Sequence, residues 1–302
     1  MNGSASRWLA IILVLLGASS YGLLSPVVKM AYEQGFSDGQ VSASQITMGT
    51  VILWLMVLMN RKAWANPFRQ PWIQLSLIGI FGLALTTVFY NITLSKLEAS
   101  LSIVLLFQFT WITVVMECLY TRTKPTRYQL LAIGLILIGT CLAVNVTSSR
   151  FSEMDPLGIA FGLLSACAYS FFLFAASKVK AKLHASMKSA VMLTAALPFL
   201  YVLYPPTMLV NGSGGGSLLL WGVVLGLLGS VLPTVFFNIG IPKIGSSLAA
   251  MLASMELPVA LVGALLLIGE QVIAVQWAGM GFILLGMIVS EIRPASAQRN
   301  FD

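Results

Sequence analysis

One carboxylate stands out among the groups in this chain that could do chemistry. Glu256 lies midway along an apolar run, 244–268, that contains no other acid or base. Holding an ionisable group at the centre of a lipid bilayer costs about 2.5–3.5 kcal/mol on insertion scales, so such a residue is a functional-site hypothesis by default. Glu256 could stay protonated, bind the amine of a solute or carry a coupling proton. It could equally hydrogen-bond a neighbouring helix or the backbone that Pro258 frees. Counting inward from the segment ends places a small set at the same depth: Ser20 and Tyr21, Gln108 and Trp111, Tyr169 and Ser170, and Ser254 beside Glu256. Trp111 is out of place there, because tryptophan normally sits at membrane interfaces, as Trp8, Trp64, Trp72 and Trp221 do in this reading. Hydroxyls, an amide, aromatic faces and one acid suit a small, partly apolar solute, and aromatic faces attract ammonium groups. These eight are the candidate substrate-binding residues. The set holds no Lys or Arg, which argues against phosphorylated solutes such as nucleotide sugars.

Catalysis is poorly equipped. The one histidine, His184, follows Lys178, Lys180 and Lys182 at a segment end and cannot build a triad or a zinc site alone. Cys118, Cys141 and Cys167 lie in apolar segments at no ligand spacing and read as small hydrophobes. No paired carboxylates or Ser-His set is present. Neither a metal nor a cofactor is expected, and the chain is not expected to be an enzyme.

The elements that must position these residues follow from composition. Of 302 residues, 58% are hydrophobic and only 9% charged, with a mean hydropathy of +0.91. A soluble domain carries roughly 25% charged residues, so most of this surface faces lipid. Ten runs are long enough to span: 8–29, 41–59, 72–94, 98–120, 127–146, 156–177, 184–204, 217–240, 244–268 and 271–290. They lack the alternation of barrel strands, and a bilayer otherwise admits only helices, so the expected fold is an all-α membrane protein. With the N-terminus cytoplasmic, inside loops and ends hold 14 of the 17 Lys and Arg, leaving only Lys29, Lys96 and Arg150 outside. That asymmetry sets both termini inside a cell inner membrane and accounts for the net charge of +7, so no nucleic-acid partner is implied. The expected partners are a small-molecule substrate, membrane lipids and, through Glu256, protons.

The second half repeats the first at a shift of 147 residues. Gly79, Gly82, Thr87, Phe89, Asn91 and Ile92 face Gly226, Gly229, Thr234, Phe236, Asn238 and Ile239; Gln129, Gly134 and Gly139 face Gln276, Gly281 and Gly286. Five crossings per copy turn the second copy upside down, giving two inverted repeats, 1–150 and 151–302. Glycines at helix spacing, Gly158/Gly162, Gly222/Gly226, Gly134/Gly139 and Gly281/Gly286 among them, read as close helix contacts. Pro26, Pro233 and Pro258, with Pro198, are expected to kink or interrupt their helices. Asn91 and Asn238, identical across the repeat but near opposite faces, are candidate gate residues or helix-end caps. The Pro- and Gly-rich loop Pro205 to Ser217 is expected to be a flexible outer connection.

This pattern resembles the drug/metabolite transporter superfamily, specifically ten-helix exporters built from two EamA-type repeats. The resemblance rests on Met255-Glu256-Leu257-Pro258, on Leu266-Leu267-Ile268-Gly269-Glu270, and on Gln276-Trp277-Ala278-Gly279 with Gly281 to Gly286. The first copy departs from it, with Phe109, Trp111 and Thr123 where the second has Glu256, Pro258 and Glu270. The resemblance implies a central cavity lined by helices one, three, four, six, eight and nine. It also implies export of amino acids or related metabolites, with aromatic amino acids as a candidate subclass. The alternatives are a multidrug or polyamine exporter, in which Glu256 binds a cation, and a membrane scaffold with no central cavity.

Overall fold

A computed structural model describes residues 3–60, 63–97, 99–144, 155–203, 215–269 and 271–291. Arg61, Lys62, Arg150, Glu270, Arg293, Arg299 and most of the 205–217 loop lie outside the described residues. Each of the ten expected spans is helical: α1 (Gly3–Glu33), α2 (Asp38–Met59), α3, α4, α5 (Arg127–Ala143), α6 (Pro156–Lys178), α7 (Ala185–Leu203), α8, α9 and α10 (Ala274–Glu291). No described residue is in a strand. Among the described residues, nine spans are long and apolar enough to cross a bilayer, and α5 is a shorter apolar helix. The helices begin where the sequence supplies caps. Ser37 and Gln40 form a capping box on α2, Thr126 and Gln129 form one on α5, and Asp155 with Pro156 opens α6. Gln276, the repeat mate of Gln129, likewise accepts the Ile273 N–H at 3.0 Å before α10.

Four spans are not plain α-helices, and the departures recur in register. In α3, Trp72–Leu77 and Leu85–Lys96 flank a π-helical stretch, Ile78–Ala84; in α8, Gly215–Gly226 and Leu232–Ile244 flank Leu227–Val231. Both stretches end at the same repeat position, Ala84 and Val231. α4 divides into α4a (Ala99–Leu106) and α4b (Phe109–Thr121), and α9 into α9a (Ser246–Ala253) and α9b (Glu256–Ile268). All four boundaries of α4 coincide with those of α9 at the 147-residue shift. The expectation of a continuous helix over 98–120 is therefore corrected, while the interruption expected at Pro258 falls just before it, at Ser254–Met255. Proline is only part of the reason. α1 runs unbroken through Pro26 and α7 through Pro198, while Pro233 and Pro258 sit in the first turns that follow the α8 π stretch and the α9 break.

The repeats interlock. α1 packs on α8 and α9, and its counterpart α6 on α3 and α4; α2 packs on α8 and α7, α7 on α3 and α2, and α5 on α10. Glycine makes the tightest of these approaches possible: a side chain at Gly79 would run into the Met192 backbone, and one at Gly226 into that of Gly49. Gly139 and Gly286 likewise seat α5 and α10 on each other, whereas Gly134 and Gly281 have open space and take no part in packing. The inversion is measured along α6. Its start at Asp155 holds Lys96, and its end at Lys178 lies beside the Gly245 corner that follows Lys243. The equivalent residues Lys96 and Lys243 thus lie at opposite ends of a 23-residue helix, roughly 33 Å apart. Arg7 pairs with Glu291, bringing the first and last helices together on the face of Lys178 and Lys243.

Candidate functional site

The two helix breaks face each other across α6 and α1. At the α4 break the turn Phe107–Gln108 is braced by side chains: Gln108 Nε2 donates to the Val104 carbonyl at 3.0 Å, and Thr110 Oγ1 donates to Phe107 O at 3.0 Å. Trp111 Nε1 donates to Gln108 Oε1 at 2.8 Å. Ser170 of α6 donates to Ala166 O at 2.7 Å and reaches Phe109 O at 3.2 Å. At the α9 break the matching turn is Ser254–Met255, where Leu257 N–H bonds Ser254 O at 3.3 Å. Pro258 has no N–H to continue the ladder there, so the second break carries its own cause in the sequence.

Of the eight candidates, four have their polar groups tied up in holding irregular backbone. Gln108, Trp111 and Ser170 do so at the α4 break, and Ser20 Oγ donates at 2.7 Å to Leu228 O in the π stretch of α8. Trp111 is 39% exposed, which makes it the most open of the set. The other four converge. Tyr169 and Ser254 are buried, and neither Tyr169 Oη nor Ser254 Oγ has a hydrogen-bond partner among the described residues. Glu256 and Tyr21 are half-buried, each keeping some accessible surface at this depth, and the space they border is the candidate crevice. Tyr90 of α3 joins them: it too is deep and half-buried, and Tyr21, Tyr90 and Tyr169 all lie within electrostatic range of Glu256. Tyr90 went unrecognised in the sequence, although its repeat mate is Phe237, which packs at 6.1 Å on Tyr21.

Aromatic rings connect these groups. Phe107 meets Phe109 at 5.5 Å, Phe109 meets Tyr169 edge-on at 4.7 Å, Tyr169 stacks on Phe172 at 6.1 Å, and Phe172 meets Phe237 at 6.2 Å. On the side of the basic loops the space beneath them is filled by the main core, which joins Val14, Leu173, Ile241 and Ala250 across α1, α6, α8 and α9. Among the described residues the opposite half has no such centre. It holds two separate clusters, one around Ala84, Val88 and Leu200 and one around Ala31, Val41 and Leu225. Packing among the described residues is thus continuous toward the basic face and divided in the opposite half.

Charged groups brace both ends. On the basic face Glu117, at the end of α4b, accepts from Ser247 N–H at 2.6 Å and Ser246 Oγ at 2.9 Å, and Lys178 Nζ lies 3.9 Å from its other oxygen. This carboxylate caps α9a from across the repeat boundary, where it also complements the helix dipole. Gly245 makes the approach possible: its φ of +85° belongs to glycine, and a side chain there would crowd Glu117. On the opposite face Lys96 Nζ bonds Asp155 Oδ2 at 2.8 Å. The Lys96 ammonium, helped by the Leu157 N–H, holds the Asp155 carboxyl below its ordinary range. Asn238, one of the gate candidates, is buried and donates to Ser189 Oγ at 3.0 Å, tying α8 to α7 rather than capping a helix end. Asn91 is half-buried, five residues before the end of α3.

The model of the EamA-like transporter family matches residues 8–145 and again 156–291. The chain belongs to that family. The EamA match occurs once per repeat, and relatives span the same length. An uncharacterized transporter of Synechocystis, sll1319, is 24% identical over 306 residues, covering 90% of each chain. An uncharacterized transporter of Bacillus subtilis, YcbK, is 24% identical over 291 residues, covering 91% of each. One solved crystal structure superposes with a TM-score of 0.73 at 15% identity, covering 95% of this chain and 97% of that one, and shares the fold. This EamA protein is thus a multi-pass membrane transporter of a small-molecule substrate.

Proposed function

We propose that this chain exports neutral or zwitterionic, partly apolar solutes, amino acids first among them, across the inner membrane by alternating access, with 1–150 and 151–302 as the two moving repeats. One observation carries the reading: among the described residues, paired helix breaks lie beside a single carboxylate and three tyrosines, with the hydroxyls of Tyr169 and Ser254 buried and unpartnered and no cation at the same depth. Such a surface binds a solute with an ammonium group and an apolar body and repels none of its parts. The basic face is the cytoplasmic one, by the Lys and Arg asymmetry, and α1 begins and α10 ends there. The sealed basic half is then the outward-open member of the transport cycle. Asn91, at the mouth of the open half, and Asn238, in the sealed half, belong to the opposing gates. Pro26, Pro233 and Pro258 sit where helices around the crevice bend as the gates exchange.

The test is counterflow in proteoliposomes over the twenty amino acids, with and without a pH gradient. Saturable exchange of at least one neutral amino acid is expected. Flux of phosphorylated sugars in place of every amino acid would overturn the substrate class. A second reading has its own support: three tyrosines around one acid also suit an organic cation, as in a polyamine or multidrug exporter. Export-dependent resistance to cationic dyes, without amino-acid exchange, would favour it.

A further inference from the structure

Where the end of α2 meets the start of α7, on the basic face, lies a cavity separate from the crevice. Its volume is about 440 Å³, and Trp54, Leu58, Trp64, Phe68 and Met187 are among its walls. Small-molecule sites commonly enclose about 300–1,000 Å³. The α2–α3 connection folds back beside it. The Ala63 N–H donates to Asn60 O at 2.8 Å, and Ala63 is fully buried. Asn66 caps the 3-10 turn Pro67–Arg69 by accepting from the Phe68 N–H at 3.0 Å, and the Phe68 ring meets Trp72 edge-on at 5.4 Å. The Trp54 indole N–H is taken by Thr194 Oγ1 at 2.9 Å. The cavity therefore offers an occupant walls that are almost wholly carbon, which suits a hydrocarbon chain better than a polar solute. Leu58, Trp64 and Phe68 are each more than half exposed, so it is open on its outer side.

Positive charge surrounds these walls. The stretches 54–72 and 178–194 supply every lining residue; they hold three and four Lys or Arg respectively, and no Asp or Glu. Arg69 follows Phe68 and Lys188 follows Met187. The Lys182 N–H donates to Gln70 Oε1 at 3.0 Å, which ties the lysine-rich connection to the same corner. Among the described residues, Arg69, Lys182 and Lys188 have no acidic partner. Loop cations alone report only topology. Cations without acids, set beside an apolar cavity at the membrane boundary, match a ligand with a phosphate head and a fatty tail. We propose that this corner binds one anionic phospholipid, with an acyl chain in the cavity against Trp54 and Trp64 and the phosphate on Arg69 and Lys188. The bound lipid braces α2 against α7, which already meet through Trp54 and Thr194. The site does not depend on which solute the crevice carries.

The experiment uses the full-length protein in phosphatidylcholine liposomes containing a small fraction of phospholipid with brominated acyl chains, which quench tryptophan fluorescence on contact. Trp54 and Trp64, two of the seven tryptophans, report on the cavity. Brominated phosphatidylglycerol should quench a saturable component at about 25-fold lower mole fraction than brominated phosphatidylcholine, about fivefold for each of two cations. Arg69→Gln combined with Lys188→Gln keeps every tryptophan and should bring the two lipids close to parity. Ala65→Phe, which fills the cavity, should abolish the saturable component and leave the quenching that both lipids share. Equal quenching by the two lipids in the wild type overturns the proposal. A preference for phosphatidylglycerol that survives Ala65→Phe also overturns it, as general attraction to the basic face. Relief of quenching by inorganic phosphate would make the cations a site for a free anion and overturn the lipid assignment. The first comparison is read on the wild-type chain, so misfolding of a variant cannot hide the answer.

Discussion

Removing the Glu117 carboxylate should open the basic face. In the closed arrangement Glu117→Ala loses the 2.6 Å bond from Ser247 N–H, the 2.9 Å bond from Ser246 and the 3.9 Å approach of Lys178. A lost N-cap costs about 1 kcal/mol and up to roughly 2, and a hydrogen bond to a charged group contributes about 1.5–3 kcal/mol. Lys178 keeps a second attraction, lying 4.8 Å from the centre of the Tyr120 ring, so its release is partial. Taken together these give about 2 kcal/mol against the sealed state, roughly a 30-fold shift toward the open one. Glu117→Gln keeps an acceptor for Ser247 and should move the balance only about 5-fold. The assay is the labelling rate of Ala176→Cys, buried beneath the basic face, by an impermeant maleimide in a background with Cys118, Cys141 and Cys167 replaced by alanine. Labelling should rise in the order wild type, Glu117→Gln, Glu117→Ala, with thermal unfolding temperature recorded alongside. Equal labelling rates in all three, with the unfolding temperature lowered, would show that Glu117 supports the fold without latching it.

Glu256→Gln should fold normally, lower transport at least about 10-fold and flatten its dependence on pH; an unchanged rate and pH profile would remove Glu256 from the mechanism. Gly139→Ala should destabilise the α5–α10 contact by about 1–3 kcal/mol, because the new methyl would meet the Gly279 carbonyl. Gly134→Ala, which meets nothing, should leave stability unchanged or raise it by up to about 1 kcal/mol through helix propensity; equal melting shifts in detergent for the two would refute the packing assignment. The Lys96–Asp155 tie depends on an ionised carboxyl held below its ordinary range, so it should persist above a pH of about 4 and be lost on acidification beneath that. Access to the crevice from that face should therefore not change between about pH 5 and pH 8; a change within that window that Lys96→Met abolishes would contradict it.

The ten spans and the inversion were legible because lipid imposes a length on every helix and the repeat fixes the register. Glu256 was legible for the same reason, as an acid where lipid tolerates few. The breaks were not. Pro258 hinted at one, but its counterpart is Trp111, and the α4 turn forms with no proline because Gln108 and Thr110 supply hydrogen bonds to carbonyls there. The π stretches were equally hidden behind glycines that read as packing, which Gly79 and Gly226 also are. Depth alone cannot separate a polar group aimed into the crevice from one satisfied by its own backbone. Ser20 and Ser170 were therefore counted with Tyr169 and Ser254, though among the described residues only the latter pair is left without partners. Glu117 was overlooked because it sits at a helix end, where an acid is cheap, and its role emerges only when Ser246 and Ser247 arrive from a distant part of the chain.

The interlocking of α1 with α8 and α9, and of α6 with α3 and α4, has a consequence for how the molecule is made. When the ribosome has released α5, most surfaces of the first five helices still await partners that have not been translated. That intermediate would leave the close-approach glycines facing lipid. Assembly is thus held back until the later helices insert. Two separately synthesised halves should be unstable alone, yet should recombine into a working carrier when produced in one membrane.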